Sequence, residues 1–78
     1  MQEFSIEIHS FQEVRDFVSL ATVQPFRVLV GNDRSRVNGK SFMGMFSLDY
    51  NEPLKVRVDC KGEEFQQFRQ AAQRFTAE

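Results

Sequence analysis

A chain of 78 residues with ten basic and eleven acidic side chains, a net charge of −1 and one cysteine excludes several functional classes at once. It has no broad positive field for nucleic acid or an anionic membrane, no internal disulfide framework and no thiolate metal cluster. One domain of this size buries only roughly 60% of its extendable surface, and nine Phe with no Trp provide the large apolar side chains that so small a core needs.

The chain opens on "MQEFSIEIHS", which alternates rather than forming an apolar block. Neither a leader nor a membrane span is expected there, and a cytoplasmic location is the default. Phe4, Ile6 and Ile8 share one face of residues 3–8, with Glu3, Ser5 and Glu7 on the other, which predicts a half-buried strand. Ser10 and Glu13 then have the S-x-x-E spacing of a capping box. Behind them Val14, Phe17, Val18 and Ala21 recur at helical spacing, Phe11 and Leu20 widen the stripe, and a helix is predicted over about residues 11–23, ended by Pro25.

Phe26, Val28 and Val30 form a second alternating strand, closed by the turn formers of "GNDRS". A return strand around Arg36–Asn38 completes a hairpin. "GKSFMGMFSLD" follows, with a one-turn helix expected from Ser41. Leu54, Val56, Val58 and Cys60 alternate with Lys55, Arg57 and Asp59 in a further strand, broken at Lys61-Gly62. Phe65, Phe68, Ala72 and Phe75 make one stripe on a final helix running to about Thr76. The order β-α-β-β-α-β-α predicts a single α+β domain over residues 1–78: a four-stranded, mainly antiparallel sheet with helices on one face, an open-faced two-layer sandwich.

Few residues here carry chemistry. His9 is the only histidine, so it has no companion for a metal site; it reads either as an ordinary strand-end residue or as a phosphoryl acceptor or base. Cys60, alone in an apolar strand, reads as a small hydrophobe. Gly39-Lys40-Ser41 lacks the preceding glycine of a phosphate-binding loop. No cofactor, metal or small-molecule substrate is expected, nor any enzymatic activity.

Ser41 has two readings. As a helix cap its hydroxyl accepts from the backbone of the first turn. As a modification site it would place roughly −1.5 to −2 charges beside backbone N–H groups not yet paired. A one-turn helix cannot bury Phe42, Met43, Met45, Phe46 and Leu48 together, because it hides a stripe and not a circumference. Some of this set is expected to face solvent, where Met and Phe make adaptable contact surfaces.

The segment "VNGKSFMGMFSLD" resembles the region around the regulatory serine of HPr, the histidine-containing phosphocarrier of the bacterial sugar phosphotransferase system. Asn38, Lys40, Ser41, Met43, Gly44, Ser47 and Leu48 match that pattern, with Phe42 and Phe46 as large apolar substitutes. The element order agrees over essentially the whole chain. The front half departs from it: the Gly-aliphatic-His-Ala-Arg-Pro motif at the start of the family's first helix is replaced by "IEIHSFQEV". An ungapped count from Ser41 puts Ser10 in the histidine slot and Gln12 in the arginine slot; a one-residue slide pairs His9 instead, with Phe11 in the arginine slot.

The combination is similar to the histidine-less, catabolite-repression type of HPr-like protein. The resemblance implies a regulatory binding protein without histidine relay, with Ser41 as the phosphorylation site. It also implies Phe42, Met43 and Phe46 as partner contacts, with Met45 and Leu48 facing the core. The implied partners are proteins, namely an HPr-type serine kinase/phosphorylase and a transcriptional regulator of carbon catabolite control. A phosphocarrier using His9, and an unmodified interaction module in which Ser41 is only a cap, are the alternatives.

Overall fold

The computed structural model describes residues 2–76. The alternating stretches become a sheet because each offers one apolar face. Strands β1 (Gln2–Ile6), β2 (Val28–Gly31), β3 (Arg36–Asn38) and β4 (Leu54–Val58) lie in the order β1-β4-β2-β3, with every pairing antiparallel. The register sets Phe4, Val56, Val30 and Val37 in one cross-strand row. Phe4, Val30 and Val56 in that row are buried, whereas the neighbouring row turns Glu3 and Arg57 outward. There Glu3 accepts from Arg57 Nε at 2.9 Å and lies 3.7 Å from Lys55 Nζ.

Helices α1 (Phe11–Thr22), α2 (Phe42–Phe46) and α3 (Glu63–Ala71) cover the apolar face. Their inward side chains join a single core: Val14, Phe17, Val18 and Ala21 from α1, Met45 from α2 and Phe68 from α3. Phe68 is its hub, meeting Phe4, Phe17 and Phe26 edge-on with ring centroids 5.4–6.5 Å apart. This is the expected open-faced sandwich.

The hairpin between β2 and β3 depends on a residue without a side chain. A Cβ on Gly31 would lie 2.0 Å from the Ser35 carbonyl oxygen, so the returning chain crosses where a larger residue would stand. Asn32 closes the turn by accepting at Oδ1 from the amides of Arg34 and Ser35, at 2.8 and 2.9 Å.

Several boundaries differ from the sequence expectation, among them the start of β2, which is Val28 and not Phe26. β1 stops at Ile6 and not at Ile8, because the chain end competes for its backbone: Glu7 N–H donates to Phe75 O at 2.7 Å, and Ile6 bridges to Thr76. Ile8 is nonetheless buried. β4 ends at Val58, two residues short of Cys60. The last helix does not run unbroken to Thr76; α3 ends at Ala71 and a 3₁₀ turn, Gln73–Phe75, follows. That tighter turn drives Phe75 under Phe17, edge-on at 5.6 Å, and returns the chain to β1.

Candidate functional site

The path from β3 into α2 is held by short-range hydrogen bonds. Asn38 Oδ1 accepts from the Lys40 amide at 2.9 Å, and the Asn38 carbonyl accepts from the Ser41 amide at 3.0 Å, an Asx-type turn. Gly39 donates to Val28 O at 2.8 Å, and a Cβ on it would come within 2.8 Å of a Val28 methyl. Only a glycine lets the chain pass so close to β2. The turn delivers Ser41 in extended conformation as the N-cap of α2, its Oγ accepting from the Gly44 amide at 3.2 Å. Ser41 is half-buried, with its hydroxyl committed to the cap.

Five residues of helix rise only about 8 Å, and they divide as one turn must. Met45 and Leu48 are buried, whereas Phe42, Met43 and Phe46 are exposed, Met43 to 82%. The far end is closed by Ser47, whose amide and hydroxyl both donate to Gly44 O, and by Tyr50, whose hydroxyl donates to Met45 O. Burial pushes the Tyr50 phenol above its ordinary value, so it stays a donor across the neutral range.

The structure adds Phe11. It does not widen the core stripe of α1: as the first residue of that helix it is 66% exposed, because the core face is already filled by Val14, Phe17, Val18 and Ala21 one and two turns on. Its ring stacks on Phe46 at 5.0 Å and 21°, and Phe46 stacks on Phe42 at 6.1 Å and 26°. Phe42, Phe46 and Phe11 therefore form one nearly parallel row across two helices, flanked by Met43. Leu20, the other residue assigned to the stripe, is half-buried against the core.

Both helix starts use a serine. Ser10 is the N-cap of α1, accepting at Oγ from the Glu13 amide at 3.2 Å. The Glu13 carboxylate reaches one residue further back than a capping box requires, accepting from the His9 amide at 2.6 Å. His9 thus precedes the cap. Its imidazole is exposed, with Nε2 3.4 Å from a Glu7 carboxylate oxygen. His9, Ser10, Phe11, Phe46, Tyr50 and Asn51 line an open hollow of about 500 Å³ between the start of α1 and the end of α2. Ser41 is not among the residues lining it and lies at the opposite end of α2. The structure thus joins Phe42, Met43 and Phe46 in one surface with Phe11, and sets His9 and Ser41 at different ends.

Other reactive groups stand apart. Cys60 is half-buried, and its thiol is pushed up by burial and by the carboxylates of Glu64 and Asp59, the reverse of an activated nucleophile. Among the described residues no group of three His, Cys, Asp or Glu side chains could hold a metal ion, and no helix is long and apolar enough to cross a membrane.

No protein-family model matches this chain, and no curated protein does. Among solved structures, the crystal structure of HPr-C-His from Thermoanaerobacter tengcongensis is similar to it at 26% sequence identity and a TM-score of 0.71, over 92% of this chain and 90% of that one. The architecture built above from strand register and helix stripes is that of the HPr fold.

Proposed function

We propose that the protein is an HPr-like regulatory binding module of the bacterial cytoplasm, related to the sugar phosphotransferase system, that does not relay phosphate through histidine. Phosphorylation of Ser41 controls which partner it holds. The observation that carries the reading is the exposed set Phe42, Met43 and Phe46 standing directly after Ser41 on one short helix, in a fold like that of HPr. Four large apolar side chains, Phe11 included, gather in a surface of the kind that marks protein contacts. A phosphoryl group on Ser41 adds roughly −1.5 to −2 charges at its edge, enough to favour one partner and repel another. By resemblance, those partners are an HPr-type serine kinase/phosphorylase and a transcriptional regulator of catabolite control.

Loss of the relay is supported by the position of Ser10. It caps the first helix, where the family's motif begins, and in neither register does an arginine fill the slot that would hold a phosphoryl group. The test is intact mass after incubation with the serine kinase and ATP. One added phosphoryl group is expected, and none in Ser41→Ala; equal modification of both proteins refutes the reading.

A second reading rests on His9, whose exposed imidazole borders the hollow beside Phe11 and Phe46. It requires an acid-labile phosphate after incubation with phosphoenolpyruvate and the first enzyme of the phosphotransferase system, abolished by His9→Gln. No such phosphate is expected.

A further inference from the structure

Lys40, the residue before Ser41, is anchored across the fold. Its Nζ donates to the carbonyl of Gln24, just beyond α1, at 2.7 Å. The last turn of α1 contains no basic residue, so the negative end of its dipole receives its cation from Lys40. The geometry explains how this is possible. Phe11, first in α1, stacks on Phe46, last in α2, while Gln24 beyond α1 meets Lys40 ahead of α2, so the helices run oppositely and the carbonyl end of α1 lies beside the threshold of α2. Lys40 therefore stands between the α1 terminus and Ser41.

Both sides of this contact are otherwise fixed. The Lys40 amide is tied to Asn38, leaving only the side chain free to change partner. At the other side, Gln24 N–H donates to Ala21 O at 3.1 Å and Gln24 Nε2 to Leu20 O at 3.2 Å. The Gln24 carbonyl is a neutral acceptor, whereas a phosphoryl group would add a direct charge–charge attraction for the ammonium.

Resting on the phosphorylation of Ser41 proposed above, we infer that a phosphoryl group there draws the Lys40 ammonium off Gln24 and so loosens the C-terminal turn of α1. The modification then acts at two places: on the charge beside the aromatic row, and on the backbone around Val23, whose side chain is 76% exposed at the other end of α1.

The test compares the full chain with phosphoserine installed at position 41 by semisynthesis against the unmodified chain, by amide hydrogen exchange. The probes are the amides of Val23 and Gln24, both donating to Ala21 O; the reference is the Ala72 amide, bonded to Phe68 O at 2.9 Å in the core. Phosphoserine is expected to speed exchange at the two probes by about fivefold or more, the response of a locally opened turn, with the reference unchanged. Lys40→Met without phosphate is expected to do the same, and Lys40→Arg to preserve the phosphate response. Probe rates within twofold of the unmodified chain, or equal acceleration of probe and reference, overturn the inference. Because the phosphoserine is installed chemically, a kinase that ignores Ser41 defeats the proposed function alone, and an unresponsive turn defeats the Lys40 coupling alone.

Discussion

Eight of the nine phenylalanines form two populations that share a chemistry and differ in geometry, with Phe65 half-buried against the core. Inside, Phe68 meets Phe4, Phe17 and Phe26 edge-on, with rings at 63–78°, the arrangement that places the positive edge of one ring on the negative face of another. Outside, Phe11, Phe46 and Phe42 lie nearly parallel at 21–26° and keep much of their surface in water. The inner rings are locked from several directions by strands and helices. The outer rings stack on one another at two helix ends. Stability therefore belongs to the first set, and the capacity to bind is what the proposed function assigns to the second.

The sharpest test removes the inner hub. Phe68→Ala is expected to cost about 3–5 kcal/mol, a large share of the stability of so small a domain, read from urea denaturation. A loss under about 1 kcal/mol would erase the distinction between the two populations. Phe46→Ser is expected to reverse the pattern. Its far-UV spectrum should be unchanged, while affinity for a captured regulator should fall by about 2 kcal/mol or more, as for a central interface aromatic.

The stacking itself is measurable without a partner. A double-mutant cycle on Phe11→Ala and Phe46→Ala is expected to show coupling of about 0.5–1.5 kcal/mol. Additive effects would mean that the row is an accident of packing. Each serine cap is a comparable, separate contribution, and Ser10→Ala or Ser41→Ala is expected to cost about 1 kcal/mol by thermal denaturation.

The smallest effect concerns acid and fastens α1 to the chain end. Hydrogen bonds from Gln12 and then Arg74 hold the Asp16 carboxyl below its ordinary value. Its contribution is therefore present above the unfolded pKa and lost as pH falls through the folded one. Arg74→Ala is expected to raise the Asp16 midpoint in a carboxyl NMR titration and to flatten the acid limb of stability. An unmoved midpoint would show that Gln12 alone lowers it.

Local patterns made most of this fold legible. Period-two alternation located the strands, helical spacing located α1 and α3, and turn chemistry fixed the return strand at Arg36–Asn38. Each follows from rules that act within a few residues. The capping role of Ser41 was equally readable, because a cap is made within three residues of itself; one helical turn also required that part of the α2 set face out, whereas which members do so was implied only by the family resemblance.

Tertiary structure alone decided the rest. Phe11 fits the helical period of α1 as well as any core residue, yet it faces out, because where the stripe ends depends on what lies opposite the first turn. The break between Ala71 and the 3₁₀ turn, and the early end of β1, arise from one competition: the last residues of the chain reach β1 from some 70 positions away in sequence. Lys40 bonded to Gln24 belongs with them. A sequence states which groups a residue can satisfy, but only the folded chain brings a distant donor and acceptor within 3 Å.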